Sequence, residues 1–111
     1  MDSNRVTLIG RVARPPESQG LPSGKTITTF RVATSTRYEM KGGQIVDTVE
    51  FHDVTAGGKL GEIVAQYVKA DSRVYVEGRL RSRSEKGRRG RQVHVEADNL
   101  IMLGHRQAGA A

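Results

Sequence analysis

The chain has 111 residues, of which 36% are hydrophobic, with 13 glycines and no cysteine; 18 basic side chains stand against 12 acidic ones, a formal charge of +6. This length suits one domain with a single core. No stretch approaches the ~18 apolar residues of a membrane span and Met1–Arg5 carries no apolar signal region; without cysteine there is neither a disulfide nor a thiolate metal site, a profile that suits the cytoplasm.

Strand periodicity dominates the chain. Val6, Leu8 and Val12 alternate with Arg5, Thr7, Ile9 and Arg11, which predicts a first strand over residues 5–13. Arg14 to Lys25 contains Pro15, Pro16, Gly20, Pro22 and Gly24 and reads as a loop. Thr26 to Ser35 is rich in β-branched residues and predicts a second strand with Phe30 and Val32 inward. Thr36 to Gln44 contains Gly42-Gly43 and reads as a flexible hairpin loop, with Arg37 and Tyr38 in it. A third strand follows over residues 45–56, on which Phe51 shares a face with Val49 and Asp53 while His52, Val54 and Ala56 form the other.

Gly57-Gly58 breaks the pattern. Leu60, Ile63, Val64 and Tyr67 then recur at i, i+3, i+4 and i+7, which predicts a helix over residues 59–68 with that face inward. Ser72 to Arg83 predicts a fourth strand with Val74, Val76 and Leu80 inward, Ser84 to Gly90 a turn, and residues 91–103 a fifth strand with Val93 and Val95 inward. Three strands, one short helix and two further strands is the layout of an OB-fold barrel. The expected class is therefore all-β: a five-stranded OB-fold barrel with one short helix between strands 3 and 4, in residues 1–104, followed by a short flexible tail over 105–111.

The positive charge is local. Residues 79–91 hold seven basic side chains, six of them arginine, and one acid, which leaves 11 basic and 11 acidic residues in the rest of the chain. Guanidinium matches phosphate geometrically and stacks on bases, so the stretch points to a polyanion, in the first place nucleic acid. The pleat puts Arg79, Arg81 and Arg83 on one face. Gly87 and Gly90 interrupt the stretch, so it is no amphipathic helix for a membrane surface.

Other motifs carry less. Gly20 to Gly24-Lys25-Thr26 is one residue short of a phosphate-loop pattern, and a strand follows it rather than a helix. His52, His94 and His105 lack metal-ligand spacing, and no nucleophile is accompanied by an identifiable base. No catalytic residue, metal or cofactor is expected, and the chain is not read as an enzyme.

The text of the chain resembles the single-stranded-DNA-binding protein family. The resemblance rests on Asn4 to Val12, on Ala33-Thr34-Ser35, on Glu50-Phe51-His52, and on Gly58 to Glu62. It continues through Val74 to Arg83, the most specific run, and ends with Ala97 to Gly104. It implies a non-catalytic OB-fold, usually a homotetramer, that binds single strands with little sequence preference in replication, recombination or repair. The physical scheme is a basic groove with aromatic rings on which bases stack. Position by position, the resemblance puts Phe51 and Tyr38 at stacking positions, and Arg37, Arg79, Arg81, Arg83, Lys86, Arg88 and Arg89 at backbone contacts. His52 falls at a subunit contact, and Met40 offers a softer apolar contact.

Departures from the family pattern sharpen the expectation. Gly57 stands where the family has a stacking Phe, and Glu85 where another aromatic often sits. The chain ends at Ala111 with no acidic C-terminal tip, which puts tail-mediated recruitment of partner proteins in doubt. With five aromatic residues in all, and Phe30 and Tyr67 assigned inward, charge is expected to carry more of the binding than stacking does. Rival readings are a primosome-type accessory protein, a dimer that resembles this family, and, more distantly, an RNA-binding OB-fold protein.

Overall fold

The computed structural model describes residues 1–84 and 91–105. Its elements are β1 (Val6–Gly20), β2 (Thr26–Glu39), β3 (Ile45–Gly57), α1 (Gly58–Tyr67), β4 (Ser72–Ser84) and β5 (Arg91–His105). The strands close a barrel in the order β1-β2-β3-β5-β4, antiparallel throughout except where β3 and β5 run parallel. This is the expected five-stranded barrel with a helix between its third and fourth strands.

The core is built almost entirely from valine. Val12, Val32, Val54, Val64, Val74 and Val76 are fully buried, joined by Phe30, Ala56, Val68, Val95 and Ala97. β-Branched side chains lose little rotamer freedom on a pleated surface and pack closely there. The helix closes one end of the barrel with Val64 and Gly61 buried. A Cβ at Gly61 would run into the Ala56 carbonyl oxygen, so only glycine lets the helix backbone come this close. The buried Thr28 hydroxyl fastens the contact by donating to the Gly61 carbonyl at 2.8 Å.

Several boundaries and orientations differ from the sequence reading. Residues 14–20, read as loop because of Pro15-Pro16, continue β1 through two register shifts, one on each side of Arg14. Bulges let a strand carry proline without losing its neighbour. The actual turn is Leu21–Lys25, closed by a bond from the Leu21 amide to the Lys25 carbonyl. Residues 36–39, also read as loop, continue β2, and the turn is confined to Met40–Gln44 with Gly42 and Gly43 at positive φ. Tyr38 is therefore on a strand. Leu80 and Val93, read as inward, are 49% and 58% exposed, and Tyr67 is 55% exposed. Leu80 and Val93 do have inward parity, but they lie at the end of the barrel where β3 and β5 part: Leu80 pairs with Val95, the last of the described buried residues of β5, and Val93 opens into the cleft there.

That overshoot shapes the molecule. β2 and β3 pair without a slip from Ile27↔Gly57 to Glu39↔Ile45, yet on β2 burial stops at Ala33. β4 and β5 pair from Ser72↔His105 to Ser84↔Arg91. Each pair thus leaves the barrel as a two-stranded ribbon. Because β3 and β5 are parallel where they meet, at Val54↔Val95 and Thr55↔Glu96, both ribbons leave through the same end, opposite the helix.

Candidate nucleic-acid interface

A cleft of about 270 Å³ opens where β3 and β5 part above that short parallel contact. β1 contributes Arg14, Pro15 and Glu17; β2 contributes Thr29, Phe30 and Arg31; β3 contributes Asp53, Val54 and Thr55; β5 contributes Gln92, Val93 and His94. The apolar part comes from Phe30, Val54 and Val93. The rim is charged, and on it the Arg31 Nε donates to Asp53 Oδ1 at 3.0 Å.

Phe51 stands on the same pleat face of β3 as Asp53, one repeat (roughly 6.8 Å) further out, opposite Ala33 and 58% exposed. Arg37 shares that face and donates to Asp47 at 2.8 Å. One face of the β2–β3 ribbon therefore presents an open ring between two Arg–Asp pairs. Tyr38 is placed otherwise. It pairs with Val46, so register puts it on the opposite pleat face, roughly 17 Å along the strand from the level of Phe51. The structure brings Phe51 and Arg37 to one face and leaves Tyr38, also exposed, on the other. Met40 is exposed at the first position of the turn.

On β4, outside the lining of the cleft, Arg79 and Arg81 share the outer face, opposite Glu96 and His94 respectively. Neither guanidinium is bare: Arg79 lies 3.3 Å from Glu96 and 3.8 Å from Asp98, and Arg81 lies 3.4 Å from Glu96. The second acid, Asp98, sits at a bulge: between Glu77↔Asn99 and Gly78↔Ala97 β5 carries one extra residue, and Asp98 keeps the outward parity of Glu96 beside Arg79. Gly78 is required here, because a Cβ would strike the Glu96 carbonyl oxygen. The Arg83 backbone pairs with Gln92. Lys86, Arg88 and Arg89, the other expected backbone contacts, lie outside the described residues, as does Glu85.

His52 is half-buried on the inner face of β3, opposite Val32, and its Nε2 lies 2.9 Å from the Thr34 hydroxyl. Gly57 is extended (φ −104°) with open space where a Cβ would point. Sequence reasoning missed Arg31, Asp53 and the β5 acids. Arg31 had a signal, since its even spacing from Arg37 puts both on the Phe51 face. Glu96 and Asp98 alternate with the inward Val95, so their outward face could be read, but which β4 residues they face is set by the cross-strand register. Among the described residues no group of three or more His, Asp or Glu can hold a metal ion, and no helix is long and apolar enough to cross a membrane.

A closed five-stranded barrel with one helix between β3 and β4, two projecting ribbons and a cleft lined in part by Arg14 and Arg31 places the chain in the OB-fold class. Comparison with known proteins narrows the class: the pattern of the single-strand binding protein family matches residues 3–103, and the chain belongs to that family. It is 40% identical over 109 residues to a single-stranded DNA-binding protein of Neisseria meningitidis, covering 96% of this chain and 63% of that relative. It is 34% identical over 110 residues to single-stranded DNA-binding protein 1 of Chlorobaculum tepidum, covering 96% and 68%. The chain thus spans a little under two thirds of the Neisseria relative's length. Among solved structures, a deletion variant of the single-stranded DNA binding protein from Thermus aquaticus superposes with a TM-score of 0.84 at 26% identity, covering 94% of this chain and 52% of that one. A Plasmodium falciparum SSB in complex with ssDNA gives 0.83 at 22% identity, covering 93% and 97%, and shows the shared fold.

Proposed function

We propose that this chain binds single-stranded DNA, without catalysis and with little sequence preference, in the cytoplasm at the nucleoid, where it protects strands exposed during replication, recombination or repair. The observation that carries the reading is the cleft where the ribbons part, lined in part by Arg14 and Arg31, with Phe51 open on the β2–β3 ribbon and Arg79 and Arg81 on the outer face of the β4–β5 ribbon. The strand would run across it with its phosphates on Arg37, Arg79 and Arg81, continuing onto Arg83, Lys86, Arg88 and Arg89. Bases would stack on Phe51 and, on the other face of the ribbon, on Tyr38. The surface ion pairs do not oppose this arrangement. Their side chains are 39–70% exposed, and such pairs contribute about 0–1 kcal/mol, so a phosphate can take the place of a carboxylate.

Titration of labelled oligo-dT at several salt concentrations tests the reading. Each neutralised phosphate contributes about 0.7 to the log–log salt slope of a single-strand binder, so four to six contacts give a slope of roughly −3 to −4. No binding, or a slope near zero, would overturn the reading, and clear preference for RNA of equal sequence would redirect it.

We also propose a homo-oligomer, a tetramer in the first instance. On the outer face of the barrel Ile9 pairs with Tyr75 and Tyr75 with Ile101, an apolar row across β1, β4 and β5 with both isoleucines about half exposed. A second copy would cover this row, with His52 at a further subunit contact. Light scattering separates a tetramer from the dimer that the primosome-type alternative requires.

A further inference from the structure

We infer that Glu96 is an internal stand-in for phosphate, an affinity-setting residue that occupies Arg79 and Arg81 until a strand displaces it; the inference rests on the single-strand reading above. Most ion pairs among the described residues are one to one, such as Arg5 with Glu77, Arg11 with Asp71 and Arg37 with Asp47. Glu96 differs. Its Oε1 lies 3.3 Å from Arg79 and its Oε2 3.4 Å from Arg81, so one carboxylate serves two arginines through separate oxygens. A phosphodiester also carries one negative charge on two free oxygens. The cross-strand register imposes the arrangement: Arg79 is directly opposite Glu96 and Arg81 is the diagonal neighbour on the same face. Asp98, on the same face of β5, adds a weaker hold on Arg79 at 3.8 Å.

This placement changes what the basic stretch can do. Two of its arginines meet the solvent already compensated by the strand beside them. A phosphate that enters between them must displace Glu96, whose carboxylate then stands unpaired next to the new phosphate and repels it. The displaced carboxylate also takes up counterions, so fewer are released in total and the salt dependence flattens. Binding is therefore weaker and more readily reversed than the arginine count implies. Both arginines are about half exposed and Glu96 is partly exposed, so water reaches all three and the exchange needs no folding change.

The test uses the full chain and fluorescent oligo-dT at several salt concentrations, comparing wild type with Glu96→Gln. A second variant, Asp71→Asn, makes the same change in net charge on the Arg11 pair, at the other end of β4. Glu96→Gln is expected to bind about three- to tenfold more tightly at low salt and to steepen the slope by about 0.7, the contribution of the one phosphate that Glu96 stands in for. Asp71→Asn is expected to stay within about twofold of wild type, with its slope unchanged. Equal gains from both variants would reduce the effect to net charge and overturn the inference. Weaker binding by Glu96→Gln would also overturn it, because Glu96 would then be orienting the arginines for DNA. Failure of every protein to bind removes the single-strand reading itself, and the stand-in role with it; binding by wild type without a specific gain in Glu96→Gln removes the stand-in role alone.

Discussion

Replacement of Phe51 by alanine separates stacking from charge. The ring is 58% exposed on the outer face of the β2–β3 ribbon, opposite the small side chain of Ala33. Full burial of a Phe side chain is worth about 1.5–3 kcal/mol, and less than half of this ring is covered, so truncation is expected to cost folding on the order of 1 kcal/mol. If a base stacks on the ring, its loss costs about 1–3 kcal/mol of binding, roughly 5- to 140-fold in Kd. No charge changes, so the salt slope should stay at its wild-type value while the whole line shifts to weaker binding. Oligo-dT titrations at three or more salt concentrations, with a thermal melt on the same samples, measure both quantities. Tyr38→Ala provides an internal check: the two rings lie on opposite pleat faces roughly 17 Å apart along the ribbon, so their effects should add within about 0.5 kcal/mol. An affinity within twofold of wild type would refute stacking at Phe51. A fall in slope as large as that produced by removing an arginine would show that the substitution had rearranged the ribbon.

Gly57→Phe is expected to tighten binding, since the position is extended, a Cβ there meets open space, and an added ring would give one more base a platform. The gain is about 1–3 kcal/mol in the same titration, less any small cost of replacing the helix N-cap glycine; no gain would show that the strand does not pass this point. Gly78→Ala should destabilise the fold by about 1–3 kcal/mol, because its Cβ meets the Glu96 backbone and the strands must shift. Chemical denaturation reads the loss directly. The shift also moves Arg79 relative to Glu96, so its salt slope should differ from wild type even where the protein is folded.

The barrel was legible from its valines, because alternation in a short strand reports which face meets the core. What alternation cannot report is where along a strand the core ends. Leu80 and Val93 obey the inward period and still face solvent, and Tyr67 ends the last turn of a helix too short to cover it. Prolines misled in the other direction: Pro15-Pro16 reads as loop, yet bulged pairing holds residues 14–20 against β2. The site divides along the same line. The open face of Phe51 could be read because it follows from its own strand, whereas the cleft draws on four strands and had no local signature. The pairing of the two β5 acids with the arginines was invisible for a sharper reason. In the sequence Glu96 and Asp98 lie only a few residues past the basic stretch, and nothing in that spacing tells facing from following. Register decides it: unbroken pairing from Ser84↔Arg91 to Gly78↔Ala97 sets Glu96 opposite Arg79, and Asp98 follows on the same face. The charge count of residues 79–91 therefore overstates the field a strand meets, because the hairpin folds its own carboxylates back onto its arginines. On the proposed single-strand reading, the number of phosphates held is set by how many of those pairs a strand can open, and that is a property of cross-strand geometry rather than of composition.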